Sequence, residues 1–223
     1  AGRSIYDFWL RDYYGVDPID GSALFVFDDE YDWDSNSCRT MGDGTVVTTN
    51  PAYSQYLYAG SAIPKLYGSF YTSLTYKNFT ADITFGYQIG GKTYDALMAQ
   101  MSSSGNYGYS LAADMVKRWQ KEGDITDVPR MDNSKTGVFN TSSTRFLADA
   151  SHLVIKAATL SYRLPEKFSN NIGVKNLSLT LSGDNLLLFA AKKGMNPMES
   201  FDGELSSQYT PSRVVTLGLK FNL

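Results

Sequence analysis

The C-terminal segment constrains the fold of this chain more than any other feature. Its last thirteen residues, 211–223, alternate strictly, with Val215, Leu217, Leu219, Phe221 and Leu223 at the apolar positions. Because successive side chains of a β-strand point to opposite faces, this pattern predicts a strand with one apolar and one mostly polar face. A soluble domain usually ends in a loose polar segment. An apolar-faced final strand is instead typical of an outer-membrane β-barrel, where one face meets lipid and the other meets the lumen.

The composition is compatible with a barrel. Barrel strands need apolar residues only at alternate positions, so a hydrophobic content of 43% does not count against one. No run approaches the ~20 apolar residues that a membrane helix requires. The chain is 14% aromatic and contains 16 Tyr and 19 Gly, which suits aromatic girdles at both membrane interfaces. A net charge of -3 gives no electrostatic basis for binding nucleic acid.

Period-two alternation predicts about seven strands. They lie at residues 4–13, 22–27, 66–76, 79–89 and 145–164, from Asn176 onward, and at the C-terminus. The third and fourth form the clearest hairpin, closed by Lys77 and Asn78. In the fifth strand the apolar positions change parity, which predicts a β-bulge near Ala157 and Ala158.

The connections between these strands alternate in length. The short ones are residues 15–21, 77–78 and 165–175, and the long ones are 28–64, 93–144 and 192–212. Barrels of this kind place short turns on the periplasmic side and long loops outside the cell. The final strand then runs inward, which predicts a periplasmic C-terminus in the bacterial outer membrane.

The facing of individual residues follows from the same alternation. The sequence predicts lipid contact for Phe79, Ile83, Phe85, Leu217, Leu219 and Phe221. It predicts lumen contact for Asp82, Thr84, Gln88 and Lys220. Seven strands are too few for a complete bacterial barrel, and open strand edges are not tolerated in lipid. We therefore expect the chain to pair with the remaining N-terminal part of the same barrel.

A series of short segments resembles one known family. They include GSAIPKLYGSF at 60–70, FGYQIGGKTYD at 85–95, FLADASHL at 146–153, LSGDNLL at 181–187 and YTPSR at 209–213. In this order and over nearly the whole chain, they resemble the late barrel strands of SusC/RagA-type TonB-dependent transporters of Bacteroidetes. The resemblance identifies residues 1–223 as the C-terminal part of a TonB-dependent receptor β-barrel.

The resemblance implies an all-β fold, a transmembrane antiparallel up-and-down barrel of about twenty-two strands around an N-terminal plug. It also implies import of oligosaccharides or peptides, energised by TonB and assisted by a SusD-like surface lipoprotein. The plug, the TonB-contacting N-terminal region and the earlier strands are expected to lie outside this sequence. On this interpretation the chain contributes barrel wall, outer loops and partner contacts.

The loops hold the candidate contact residues, because loops on a rigid scaffold carry recognition. One acidic, aromatic segment consists of Asp28, Asp29, Glu30, Tyr31, Asp32, Trp33 and Asp34. Three alternatives are open for it: a solvated acidic loop, a contact for ligand or partner, and a Ca²⁺ site. Its spacing does not match an EF-hand loop. Further candidates for ligand or partner contact in the next long loop are Tyr107, Tyr109 and Trp119.

One helix is predicted in that long loop, between Ser110 and Gly123. Ser110 is a capping residue, and Leu111, Met115, Val116 and Trp119 share one face. Asp114 and Arg118 are spaced to form an i,i+4 ion pair. The apolar face is expected to pack on the other loops.

The sequence contains few residues that could support enzymatic chemistry. His152 is the only histidine and Cys38 the only cysteine, so we expect no catalytic triad, no cofactor and no cysteine-based metal site. The alternative function is a soluble, secreted, carbohydrate-binding β-sandwich, because an antiparallel sandwich also alternates polar and apolar residues.

Overall fold

The computed structural model describes residues 2–102, 108, 110–171, 173–206 and 209–222. These residues form fourteen strands: β1 (Asp7–Arg11), β2 (Tyr13–Val16), β3 (Ala23–Val26), β4 (Cys38–Thr40), β5 (Val46–Thr48), β6 (Tyr56–Ser61), β7 (Leu66–Tyr76), β8 (Phe79–Ile89), β9 (Lys92–Asp95), β10 (Leu147–Asp149), β11 (His152–Arg163), β12 (Lys175–Ala190), β13 (Glu204–Leu205) and β14 (Val214–Asn222). Three short helices accompany them: α1 (Ala96–Met101), α2 (Thr136–Phe139) and α3 (Glu166–Asn171). Within the described ranges, no helix has the length and apolar character needed to cross a bilayer.

The chain divides into two compact units. Unit 1 comprises Ala1–Ala62, Lys92–Ala148 and Phe201–Ser207, and unit 2 comprises Ile63–Gly91, Asp149–Ser200 and Gln208–Leu223. Unit 2 contains the longest strands. The predicted all-β class is confirmed for the described residues, with the helices confined to short connecting segments.

Unit 2 is built on one five-stranded antiparallel sheet, which we call the long sheet. Its strand order is β14-β12-β11-β8-β7. The predicted hairpin is confirmed residue by residue, with β7 and β8 joined by Lys77 and Asn78, and Lys77 has a positive φ of 52°. The predicted bulge is also confirmed, because the pairing of β11 with both neighbours shifts between Ile155 and Ala157.

One face of the long sheet, which we call the apolar face, is covered by large hydrophobic side chains. Cross-strand partners place Leu74, Ala81, Leu160, Leu181 and Leu217 in one continuous row over all five strands. The end members are largely exposed, Leu74 by 71% and Leu217 by 70%. An exposed apolar surface of this extent is typical of contact with lipid or with another molecule.

The opposite face, which we call the polar face, is lined mainly by hydroxyl, amide and charged side chains. The same registers align Thr75, Thr80, Ser161 and Thr180 across four strands. Hydroxyl pairs join neighbouring strands, with 3.3 Å between Thr75 Oγ1 and Thr80 Oγ1 and the same distance between Ser161 Oγ and Thr180 Oγ1. The sheet therefore has one apolar and one polar face, as its alternating sequence predicts.

Unit 1 contains the first two predicted strands, and their placement corrects the prediction. Residues 4–13 were expected to form one long barrel strand, but β1 pairs with β6 in a two-stranded sheet and β2 begins a second sheet. That sheet has the order β2-β3-β5-β4. Ala23, Leu24 and Phe25 of β3 have no exposed surface. A strand buried on both faces by its own unit faces neither lipid nor lumen, so the long sheet contains five of the seven predicted strands.

The predicted short turn at residues 15–21 belongs to this small sheet rather than to the long one. It joins β2 to β3, and Gly21 has a φ of 72° with the Trp119 ring directly against its α-carbon. A side chain at Gly21 would meet that ring at 2.5 Å. The turn is therefore a packed element of unit 1 and not a connection between strands of the long sheet.

Candidate functional site

The acidic segment 28–34 forms a tight turn after β3. The Asp28 backbone N–H donates to the Tyr53 carbonyl at 3.0 Å, and the Asp28 carboxylate accepts from the Glu30 N–H at 3.1 Å. The Tyr31 N–H donates to the Asp28 carbonyl at 3.1 Å. These bonds are local, as is common for Asp in turns, and they fix the backbone of the segment against the loop that carries Tyr53.

Asp34 ends the segment and organises the next turn. Its carboxylate accepts from the Asn36 N–H at 3.0 Å and from the Ser37 hydroxyl at 2.8 Å. The hydrogen bond from the Asn36 backbone, followed by the bond from Ser37, lowers the pKa of Asp34 below its usual value. The ionised carboxylate is therefore the hydrogen-bond acceptor that holds this turn together.

The two aromatic residues of the segment are half exposed. The Tyr31 ring lies 5.4 Å from the Tyr53 ring, and the Trp33 ring meets Phe27 edge to face at 6.2 Å. Tyr31 is 47% exposed and Trp33 is 53% exposed. Each ring is thus held by one aromatic neighbour and presents the rest of its surface outward.

The Ca²⁺ alternative for this segment gains no support. Within the described part of the chain, no three or more His, Cys, Asp or Glu side chains come together in a group that would hold a metal ion. Asp29, Glu30 and Asp32 lie within that part.

The predicted helix at 110–123 is wrong. Only a 3-10 turn forms, at Ala113–Lys117, and its first residue is preceded by Ala112 without a side-chain cap. The Trp119 N–H donates to the Val128 carbonyl at 2.9 Å, so the chain folds back instead of continuing as a helix. Asp114 pairs with Lys117 at 3.1 Å, not with Arg118 as predicted.

Trp119 is a packing residue rather than a free contact. Its indole N–H donates to the Pro18 carbonyl at 3.1 Å, and its ring covers Gly21. Tyr107 and Tyr109 lie outside the described residues. The sequence-predicted candidates therefore divide into an outward-facing pair, Tyr31 and Trp33, and one structural tryptophan.

A second aromatic group lies on the two-stranded sheet of unit 1; Tyr56 and Tyr58 were expected among the aromatic residues of the long connections, but their pairing with Trp9 was not. Trp9 of β1 stands opposite Tyr58 of β6, with ring centroids 4.5 Å apart, and lies 5.9 Å from Tyr56. The Arg3 and Arg11 guanidinium groups cover the Tyr58 and Tyr56 rings at 4.4 and 4.7 Å. The signal was the alternation of Tyr56 and Tyr58 with Leu57 and Ala59, which marks a half-exposed strand.

His152 and Cys38 have structural environments. His152 pairs with Gln88 and Ala190 in the long sheet, and its Nδ1 lies 2.9 Å from the Ala150 carbonyl oxygen. Cys38 is buried in unit 1. His152 lies in β11, as expected for a strand residue, whereas Cys38 was expected in a loop and instead begins β4.

Comparison with known proteins gives a consistent result. The chain is 30% identical over 190 residues to TonB-dependent receptor P26 of Formosa agariphila, covering 80% of this chain and 18% of the receptor. It is 29% identical over 142 residues to TonB-dependent receptor P3 of the same organism, covering 64% of this chain and 14% of that receptor. No family model matches the chain.

Solved structures show the same architecture. The RagAB peptide transporter aligns over 96% of this chain and 22% of its own, with a TM-score of 0.72 and 21% identity. The RagAB peptide importer in its closed-closed state aligns over 96% of this chain and 23% of its own, with a TM-score of 0.74 and 22% identity. The fold is therefore that of part of an outer-membrane β-barrel, and the similar proteins are receptors and transporters, not enzymes.

Proposed function

We infer that this chain, which belongs to the TonB-dependent receptors of the SusC/RagA type, supplies part of the wall and outer loops of an active importer. It spans 14% and 18% of the length of the two curated relatives. Transport is therefore an activity of the whole receptor, to which this chain contributes structure. The proposed cargo is an oligosaccharide or a peptide.

One observation carries the proposal: the long sheet has an apolar face that unit 2 leaves exposed. Leu160 and Leu181 lie within the row that runs from Leu74 to Leu217. In water such a face is unfavourable, at about 25 cal/mol for each Å² of apolar surface left uncovered. In a bilayer the same face contacts hydrocarbon, and the polar face lines the lumen.

The secreted β-sandwich is the weaker alternative. A sandwich requires a second sheet packed about 10 Å from the first, which buries the apolar side chains between them. Within the described residues of unit 2, Leu74, Leu217 and Leu219 keep most of their surface exposed. The likeness to TonB-dependent receptors supports the barrel independently.

The connections of the long sheet suggest its orientation. The short ones, at 77–78 and between β11 and β12, lie at one end, and the long ones lie at the other. Because barrels of this kind have short periplasmic turns, we place Asn222 near the periplasm. We assign the chain to the C-terminal part of the barrel, and the plug, the TonB contact and the earlier strands to the rest of the receptor.

The long connections are the proposed partner surface. They carry exposed aromatic and aliphatic side chains, including Tyr31, Trp33, Val116 and Ile125. Residues of this kind anchor protein interfaces when they become buried. We propose that they contact a SusD-like lipoprotein, which would deliver the cargo to the barrel.

Dependence on TonB tests the import function. Cells that produce the full-length receptor should accumulate a fluorescent oligosaccharide or peptide only when TonB is present. The measurement compares uptake in matched strains with and without TonB and with and without the receptor. Equal uptake in the strain without the receptor, for cargoes of both kinds, would remove the proposed function.

The lipoprotein contact is tested by surface substitutions. The variant to test is Val116→Asp, Ile125→Asp, because these side chains are 73% and 98% exposed. Deletion of the whole loop, residues 100–140, is less suitable, because it would also remove Phe139, which packs with Ala23 and Phe25 in unit 1. Loss of two apolar contacts should weaken lipoprotein recovery about tenfold, equivalent to roughly 1.4 kcal/mol.

The matched control for this experiment is Gln120→Asp, which adds a charge at an exposed position of the same loop. The measurement is co-purification of the lipoprotein with the full-length receptor. If the double variant retained as much lipoprotein as the control, this loop would not belong to the interface.

A further inference from the structure

Residues 116–130, which we call the clip, fold back on themselves within the long loop of unit 1. The structure describes all of them, and after the 3-10 turn they form neither helix nor strand. The Trp119 backbone N–H donates to the Val128 carbonyl at 2.9 Å, and the Thr126 hydroxyl donates to the Lys117 carbonyl at 2.7 Å. These two hydrogen bonds hold the two arms of the clip together.

One carboxylate organises the tip of the clip. Asp124 Oδ2 accepts the backbone N–H groups of Gln120 and Lys121, each at 3.0 Å. The Asp124 N–H donates in turn to the Lys121 carbonyl at 3.1 Å. Ile125 follows directly and is almost fully exposed, and Val116 at the start of the clip is largely exposed. The clip therefore holds two apolar side chains outward on a backbone that hydrogen bonds fix.

The first arm of the clip docks on the β2–β3 turn, at residues 17–21. The Pro18 carbonyl accepts two bonds from it, one from the Gly123 N–H at 2.8 Å and one from the Trp119 indole N–H at 3.1 Å. The Trp119 ring also lies directly against Gly21. One carbonyl and one glycine of the turn thus receive the whole arm.

The second arm binds the same turn through Arg130. Its backbone N–H donates to the Gly21 carbonyl at 2.8 Å. Its guanidinium donates to the Asp20 carbonyl and lies 3.7 Å from the Asp20 carboxylate. Among the side chains of the clip, Val128 and Pro129 are buried and most others are half-buried or exposed. A segment that buries so little apolar surface depends on its docking contacts for a fixed conformation.

We propose that the clip is a preorganised anchor for the SusD-like lipoprotein, and that its docking on the β2–β3 turn sets the affinity of that contact. The inference rests on the lipoprotein contact proposed above and adds what controls it. A segment that is already fixed in its binding conformation avoids the entropy cost of ordering a flexible loop on binding. If only a fraction of receptors holds the clip docked, the apparent dissociation constant rises by the reciprocal of that fraction.

The Gly21→Ala variant tests the anchor without changing its outer surface. Gly21 has a φ of 72°, and an added β-carbon would lie 2.5 Å from the Trp119 ring. The ring cannot stay in place, so the clip should undock. The matched control is Gly44→Ala, because Gly44 also has a positive φ, 86°, but a β-carbon there meets nothing within 4 Å. Both variants place alanine in the left-handed region, and only Gly21→Ala displaces the ring.

The measurements are hydrogen exchange in the full-length receptor and its dissociation constant for the purified lipoprotein. Exchange at the Gly123 and Arg130 N–H groups reports the docked fraction, because both donate to the turn. If the docked fraction falls to about one tenth in the Gly21→Ala receptor, the dissociation constant should rise about tenfold. The Gly44→Ala receptor should show neither change.

Trp119→Ala is the second variant, and it leaves the turn itself unaltered. It removes both the ring and the indole donor, so it should speed exchange and weaken binding in the same proportion. Exchange at Phe27, whose N–H donates to the Val46 carbonyl at 3.0 Å, should stay slow in a receptor whose unit 1 remains folded. This variant gives the answer if Gly21→Ala disrupts more than the clip.

Slow exchange at Gly123 and Arg130 in both variants would overturn the proposal, because the turn would then not hold the clip. Fast exchange with an unchanged dissociation constant would overturn it as well. An Ile125→Cys receptor that does not react with a water-soluble thiol reagent before lipoprotein is added would be a third contradiction, because another part of the receptor would then cover the anchor.

The Val116→Asp, Ile125→Asp variant separates failure of the anchor from failure of the proposed contact. If this variant loses the lipoprotein while receptors with an undocked clip retain it, the interface stands and preorganisation is refuted. If it retains the lipoprotein too, the contact itself is refuted, and the anchor with it.

Discussion

Replacing Arg39 with methionine is expected to lower the local unfolding free energy of unit 1 by about 3–5 kcal/mol, because it leaves a buried carboxylate without its counter-charge. Asp17 is almost completely buried and forms an ion pair with Arg39. The Asp17 carboxylate also accepts from the Ile19 N–H at 2.8 Å, and its carbonyl accepts from the Gly21 N–H at 2.8 Å. Hydrogen exchange at Ile19 and Gly21 in the full-length receptor measures the change.

The matched control is the exposed ion pair between Asp114 and Lys117. Substitution of Lys117 with methionine should change stability by only about 0–1 kcal/mol, because solvent screens exposed pairs. If both substitutions produced the same small effect, the Asp17 carboxylate would not depend on Arg39. The β2–β3 turn would then be held by backbone hydrogen bonds and packing alone.

Arginine at Ile83 should destabilise the receptor in lipid vesicles by about 2–4 kcal/mol, because it places a charge on the lipid side near the middle of β8. Ile83 pairs with Thr72 and Ala158 on the apolar face. Thr84→Arg on the adjacent residue places the same side chain on the polar face. It should cost much less, because the polar face gives the guanidinium access to water.

The measurement for this pair is denaturant-induced unfolding of the full-length receptor in lipid vesicles, followed by tryptophan fluorescence. The informative quantity is the difference in unfolding free energy between the two variants. Both place arginine in the same strand, so effects common to the two substitutions cancel. Equal destabilisation by the two substitutions would mean that the two faces of the sheet do not meet different environments.

The long sheet was predictable because the alternation of apolar and polar residues within each strand indicates which face each side chain takes. Residues 66–76 and 79–89 each alternate over eleven residues, and a register slip by one residue would exchange the apolar and polar faces. The change of parity in β11 revealed the bulge before Ala157 for the same reason. Each of these signals lies within a single strand or hairpin.

Unit 1 was not predictable in the same way. Its strands are three to six residues long, except for the two-residue β13, and β3 is apolar without alternation. Pairings such as Tyr94 N–H to the Gly203 carbonyl join residues far apart in the chain. The helix expected near Met115 failed because long-range contacts of Trp119 outweighed local propensity.

The candidate contact residues were partly predictable. Acidic and aromatic composition identified Tyr31 and Trp33, which do face outward. It also selected Trp119, whose ring covers Gly21, because composition does not separate a packing tryptophan from an exposed one.

Cysteine accessibility on β8 tests the central claim most directly. Single Thr84→Cys and Phe85→Cys variants of the full-length receptor are treated in intact membranes with a water-soluble and a lipid-soluble thiol reagent. Cys38 is buried, so its background labelling should be low. We predict that the water-soluble reagent labels the Thr84→Cys variant and that only the lipid-soluble reagent labels the Phe85→Cys variant. Equal labelling of both variants by the water-soluble reagent would contradict the assignment of this sheet to a membrane barrel.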